Sequence, residues 1–362
     1  MTPRRVTLLL VAGVLVIVLA VWMSSKPRVE QATEAGAPIL SGLDNSSLNS
    51  ITEVRLSKGD GTKTTLKKGS ADWTVAERND YPADSGKVRK LLLDLAALNV
   101  VEEKTRLPDN YPALGVEDTV SNKASGTRVD VVTPAKTYSL IVGKTSGAKS
   151  GYVRVVNAPQ SFLAAPSVTV DADPRRWLDH TLIDIPQERV KEIAMKPAQG
   201  PAYTVTREKK EQPDFTVPEV PKGRELSNPT AADPIAGSLG SVSLDDVQHV
   251  PTTPPAGVSH AIFTTFDGLK IDVAGRKDGS KTLVSFTPSS TAKETEAEAK
   301  TLQTRLNGWE FEIPSYKYDG TFRSLDDLLK KPPEPAAKGA KGSKAGKKST
   351  EPALPDASPL SR

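Results

Sequence analysis

Hydrophobic and polar positions alternate from about residue 52. Thr52, Val54 and Leu56 are set between polar neighbours, Gly59-Asp60-Gly61 supplies turn residues, and Thr62, Thr64 and Leu66 return on the other side. A period of two broken by a Gly-rich turn predicts a β-hairpin. Trp73 and Val75 mark a third short strand. The period then changes: Val88, Leu91, Leu92, Leu95 and Leu98 recur at spacings of three and four behind Asp84 or Ser85 as a cap, which predicts a helix with one buried face. Beyond the loop around Pro108 to Pro112, further strands are expected at Val129 and Val131, at Tyr138, Leu140 and Val142, and from Tyr152 to Val156.

The second half of the chain repeats this order. Val190, Ile193 and Met195 echo Ile51, Val54 and Leu56, and Asp214-Phe215-Thr216-Val217 echoes Asp72-Trp73-Thr74-Val75. Asp233 precedes Ile235, Leu239 and Val242 as Asp84 precedes the first helix, and Ile271 to Arg276 echoes Leu140 to Lys144. Four landmarks in one order predict an internal repeat, a duplicated unit of hairpin, strand, helix and strands. The second copy is looser, because Pro218 to Pro234 inserts residues and Gly237 and Gly240 are poor helix residues. After it, Thr291 to Leu306 is helix-permissive, Trp309, Phe311 and Ile313 alternate as a strand, and Leu325, Leu328 and Leu329 close a short amphipathic helix.

Upstream of this body the pattern is different in kind. Val6 to Met23 is 18 residues without a charge, twelve of them Leu, Val or Ile. As a helix rising ~1.5 Å per residue it spans about 27 Å, close to the ~30 Å hydrocarbon core, which predicts a single-pass transmembrane helix. Arg4 and Arg5 before the run predict a cytoplasmic N-terminus and a body on the outer side. A cleaved signal peptide is the alternative, but it wants a shorter stretch and a small-x-small site, which Trp22 to Pro27 offers poorly. A buried soluble helix is the other, and it would not be apolar on every face.

The expected organisation is therefore α+β: a cytoplasmic tail at 1–5, a transmembrane helix at 6–23, a flexible tether at 24–45, a first repeat at 46–170, a connector at 171–186, a second repeat with its closing element at 187–330, and a disordered Lys/Pro/Ala/Gly tail at 331–362.

Composition narrows the chemistry. The chain has no cysteine, which excludes disulfides, thiolate metal sites, a thiol nucleophile and a lipidated N-terminal Cys. From Lys330 to the end there are eight Lys or Arg against three Asp or Glu, so the net charge of +4 belongs to the tail. The remaining body lacks the basic excess that nucleic-acid binding needs.

Catalytic patterns are missing. His180, His249 and His260 form no metal-binding pair spacing, and structural or surface roles are expected for them. Gly143-Lys144-Thr145 resembles the end of a phosphate loop, but the glycine required five residues earlier is Tyr138, and the segment reads as a hairpin turn. Asp171 and Asp173 lack the further oxygens of a calcium site, so Asp-x-Asp-Pro is read as a turn and helix start. No nucleophile elbow and no dinucleotide fingerprint is present. No catalytic, cofactor-binding or metal residue is assigned, and the protein is expected not to be an enzyme; an enzyme of unrecognised type would be indicated by a tightly bound metal.

Further landmarks are Trp73, Tyr81-Pro82-Ala83-Asp84 before the Leu-rich helix, Leu114-Gly115-Val116, Ile141-Val142-Gly143-Lys144 with Gly151-Tyr152-Val153-Arg154 after it, and Trp309. Through these residues the chain resembles the bacterial family known as domain of unknown function 4340. It departs from the family where members usually carry Tyr-Gly-Leu with a nearby Pro, since this chain has Leu114-Gly115-Val116 and Thr119. The resemblance implies a cell-envelope protein of the bacterial inner membrane with a periplasmic domain, an auxiliary component among protein partners in an ABC-transporter-type complex. It carries over no catalytic residues. A second reading is an envelope-polymer binder that uses the Lys-rich tail or a groove between the copies. The small-molecule ligand, if there is one, is not identified by the sequence.

Overall fold

Gly61, with φ at +87°, takes a conformation that L side chains rarely adopt, and there the chain turns from β1 (Glu53–Lys58) into β2 (Lys63–Lys68). The register sets Val54 against Leu66 and Leu56 against Thr64, and this face of the hairpin is buried. A computed structural model describes residues 34–70 and 72–331. β3 (Trp73–Val75) and β4 (Tyr81–Pro82) extend the hairpin. The helix Ser85–Ala96 follows, capped by the Asp84 carboxylate, which accepts the Lys87 N–H at 3.0 Å. Its Val88, Leu91, Leu92 and Leu95 are buried. β5 (Asn99–Glu103), β6 (Thr127–Val132), β7 (Thr137–Ser146), β8 (Ser150–Val155) and β9 (Ser161–Ala165) complete an antiparallel sheet in the order β4-β3-β2-β1-β6-β7-β8-β9-β5.

The connector carries β10 (Thr181–Ile183), and the second half begins with β11 (Val190–Lys196) and β12 (Tyr203–Thr206). Next come β13 (Val242–Ser243), which pairs with β10, β14 (Asp246–His249), β15 (Ser259–Thr265), β16 (Leu269–Asp278), β17 (Lys281–Ser290) and β18 (Trp309–Glu312). The second large sheet runs β12-β11-β15-β16-β17-β18-β14. The helix Glu296–Leu306 sits between β17 and β18 and buries Ala299 and Leu306.

One hydrophobic core joins the two halves. Leu56, Leu66 and Leu140 of the first sheet and Ile193, Phe263 and Phe311 of the second belong to the same buried cluster, with Trp177, Leu178 and Leu182 of the connector between them. Each fully buried aliphatic or Phe side chain contributes about 1.5–3 kcal/mol relative to exposure. Polar ties reinforce the seam. The Thr64 hydroxyl donates to the Ala172 carbonyl at 2.7 Å, and the Asp84 N–H donates to the Trp177 carbonyl at 2.8 Å.

Three expectations are corrected. The α+β class with an N-terminal transmembrane helix does not describe this structure: antiparallel strands dominate, and no helix among the described residues is long and apolar enough to cross a membrane. The longest of those elements, Ser85–Ala96, has 12 residues and only one apolar face. The run Val6–Met23, where the span was expected, lies outside the described residues, as does the tail beyond Lys331. Second, the helix expected to follow Asp233 stops after four residues at Ala236, because Gly237 and Gly240 interrupt it, and Val242 enters a strand. Third, residues 34–45 do not hang free. The Gly36 N–H donates to the Val100 carbonyl in β5 and the Ile39 N–H to the Leu98 carbonyl just before it, and Ile39, Leu40 and Leu43 are buried.

Candidate functional site

The residues singled out for possible chemistry are dispersed. His180 Nδ1 lies 2.7 Å from the Leu244 carbonyl, the His249 ring stacks on Trp309 with centroids 4.2 Å apart, and His260 Nδ1 is 3.1 Å from an Asp272 carboxylate oxygen. Among the described residues no group of three His, Asp or Glu could hold a metal ion. Asp171 accepts the Asp173 N–H and Asp173 accepts the Arg175 N–H, each at 3.0 Å, which makes Asp173 the cap of the short 3-10 helix Pro174–Trp177. Gly143-Lys144-Thr145 is not a hairpin turn. It lies inside β7 where the register with β8 shifts, and the turn comes after Ser146.

Lys144 has a structural partner instead of a phosphate. Its ammonium donates to the Pro112 and Ala113 carbonyls at 3.1 and 3.0 Å, at the end of the short helix Tyr111–Leu114. Gly143 lets this segment come close: a Cβ there would stand 2.4 Å from the Leu114 carbonyl oxygen. Arg154 fastens the same segment from beneath. Its guanidinium donates to the Val116 carbonyl at 2.8 Å, the Ala158 carbonyl at 3.1 Å and the Asp118 carboxylate at 2.6 Å, and it lies 4.6 Å from the Tyr111 ring centroid. Tyr111, Val116 and Ile141 form a small second core around it. Leu114-Gly115-Val116, Gly143-Lys144 and Arg154 are therefore parts of one device that covers the outer face of the first sheet.

The second half uses its arginines in the same way. Arg207 donates to the Val190, Gln212, Gln187 and Glu188 carbonyls at 2.8–3.1 Å, beneath the Phe215 ring. Arg276 meets Glu310 through two hydrogen bonds of 2.7 and 2.8 Å, and this partner holds the guanidinium well above its ordinary value. Glu298 does the same for Arg189. Across the seam, Arg78 pairs with Asp246 through two hydrogen bonds, one of 3.0 Å. Burial pushes the Tyr81 phenol up, and the Tyr203 phenol likewise.

Clefts open at several places on the described surface. One of about 590 Å³ lies at the seam, where Lys58, Arg175 and Arg176 face Asp171 and Asp173 beside the Arg78–Asp246 pair. A second, of about 610 Å³, sets Trp73, Leu48 and Leu92 among Asn45, Asp72 and Arg89. A third, of about 360 Å³, lies under the Pro-rich loop between β14 and β15. Its signal was there in Val250-Pro251-Thr252-Thr253-Pro254-Pro255, a stretch between two strands that presents apolar rings without a periodic element.

The geometry is that of an antiparallel two-sheet protein whose interior charges hold backbone in place and whose open features are surface clefts. The chain belongs to the family described as Domain of unknown function (DUF4340), whose model matches residues 73–260. That stretch runs from Trp73 through the first sheet and the connector into β15. No curated protein and no solved structure matches the chain.

Proposed function

We propose that the protein is a non-catalytic interaction component of a membrane complex of the ABC-transporter type, and that its two-sheet body is the part that meets partner proteins. The use made of the interior charges carries this reading. The buried Arg154 and Arg207 are spent on backbone carbonyls and the half-buried Arg276 on Glu310, so these cations serve architecture. Transporter-type partners are the class that the family resemblance implies. The test is affinity purification of the full-length protein from native membranes in mild detergent, with identification of what stays bound. Transporter subunits retained at stoichiometric level support the reading. A protein that emerges alone under conditions that keep other membrane complexes intact rejects it.

The second cleft favours a further reading, an envelope-polymer binder. Amide, carboxylate and guanidinium groups from Asn45, Asp72 and Arg89 around a Trp73 and Leu92 surface suit hydroxyl-rich rings with apolar faces. Co-sedimentation with purified peptidoglycan that falls on Arg89→Ala would support it, and sedimentation equal to a control protein would remove it.

A further inference from the structure

The two large sheets pass through one series of neighbours, β2-β1-β6-β7-β8-β9-β5 in the first and β12-β11-β15-β16-β17-β18-β14 in the second. Their ladders can therefore be laid over one another pair by pair. Leu56 opposite Val129 in the first matches Met195 opposite Ala261 in the second, and Leu140 opposite Val155 matches Val273 opposite Phe286. These positions face the shared core. One residue along each strand lies the outer row. It reads Arg128, Ile141, Arg154 in the first sheet and His260, Ala274, Ser285 in the second.

The two rows are finished differently. In the first sheet the chain between β5 and β6 folds over the row: Tyr111 and Val116 pack on Ile141, and Arg154 holds the Val116 carbonyl. In the second sheet the connection between β14 and β15 is only residues 250–258, and the row itself is cut down to Ala274 and Ser285. Less cover over smaller side chains leaves the third cleft, with Val250, Pro251, Pro255 and Val258 as walls above Ala274 and Ser285. The polar groups at its edge already have partners within the chain, His260 Nδ1 beside the Asp272 carboxylate at 3.1 Å and the Arg276 guanidinium with Glu310 and Asp278. An occupant that adds a charge would find no partner for it, whereas proline and valine walls suit an uncharged aromatic or branched side chain.

We propose that this cleft is a docking site for a short segment of a partner protein, which seats an uncharged aromatic or branched side chain over Ala274 and Ser285 where the first half seats its own Tyr111 and Val116. The proposal rests on the reading of the protein as an interaction component and names the surface that would serve it.

The probe is the peptide acetyl-Tyr-Pro-Ala-Leu-Gly-Val-amide, a copy of residues 111–116, titrated into the full-length protein in mild detergent by calorimetry. Saturable binding is expected. It should weaken at least tenfold in Ala274→Ile and in Ser285→Arg, which install the first half's residues, and when the peptide's Tyr is replaced by Ala. Unchanged circular dichroism and melting of both variants separate loss of the cleft from loss of the fold. No saturable binding, or binding that both folded variants retain, overturns the proposal. Purification from native membranes with Ala274→Ile beside the unaltered protein separates the two levels. Partners kept by both reject the docking site and leave the interaction reading standing, while partners absent from the unaltered protein reject the interaction reading and leave the titration to decide the cleft.

Discussion

Tyr81 and Trp309 meet edge to face, their ring centroids 5.1 Å apart and their planes at 87°. Tyr81 belongs to the edge strand of the first sheet and Trp309 opens the strand β18 of the second, so this contact ties the halves together where Phe311 also approaches Tyr81, at 6.1 Å. Both residues are among those that carry the family likeness. Their role in this structure is cohesion.

Removing either ring should loosen the seam. Tyr81 is 1% exposed, and Tyr81→Ala is expected to cost about 3–5 kcal/mol, the range for a fully buried large aromatic. A double-mutant cycle with Trp309→Ala in urea unfolding should return a coupling of about 0.5–1.5 kcal/mol. Additive single effects would show that the rings are neighbours without being partners.

Arg154 should behave as a clamp. Arg154→Met strips the donors from the Val116 and Ala158 carbonyls; the Val116 acceptor, left unmatched in the interior, costs about 1–3 kcal/mol, and the half-buried Ala158 acceptor less. Arg154→Lys is expected to recover only part of this, since one ammonium cannot reproduce a planar fork. Hydrogen exchange would report the loss at residues 111–118 before it appears elsewhere. Uniform protection across the first half in Arg154→Met would sink the idea.

Two glycines separate crowding from backbone strain. A Cβ on Gly143 would enter the Leu114 carbonyl at 2.4 Å, so Gly143→Ala is expected to push the covering segment off the sheet at about 1–3 kcal/mol. Gly61→Ala meets open space, but its φ of +87° strains an L residue by about 1–2 kcal/mol. Limited proteolysis within residues 106–118 should rise only for Gly143→Ala.

Two aspartates should make stability depend on pH in opposite senses. The Arg175 side chain holds the Asp173 carboxyl below its ordinary range, so its contribution is present above that range and is lost as pH falls through the folded value. Burial raises the Asp233 carboxyl despite the Phe215 N–H, so stability falls as pH rises from the ordinary value through the folded one. Asp173→Asn should therefore lower the melting temperature at neutral pH, and Asp233→Asn, whose carbonyl still accepts from Phe215, should raise it. Both differences should shrink in acid. A melting difference at pH 7 of the opposite sign for either variant contradicts its assignment.

Local pattern was readable where one residue's neighbours in sequence are also its neighbours in space. The first hairpin, Trp73's strand and the Asp84-capped helix could be read because period, turn and cap all fall within a few residues. β5 escaped: Asn99 to Glu103 pairs with β9 more than fifty residues later, and its pattern has only one buried position. In the second half Asp214 to Val217 repeats the pattern of a strand, yet it keeps only an isolated bridge between Thr216 and Thr206. The surface went unread for a related reason. Arg154's carbonyl partners and the reduced row of Ala274 and Ser285 exist only once strand register is known.

The seam also bears on the order in which the protein is made. Tyr81 is synthesised early, and its rings of contact, Trp309 and Phe311, lie near the far end of the described chain. A ribosome that has released the whole first sheet has still not supplied the surface that sheet packs against. The nascent first half thus lacks the Trp309 and Phe311 faces of Tyr81 for the time taken to translate more than two hundred further residues, and the seam can close only after the second sheet is made.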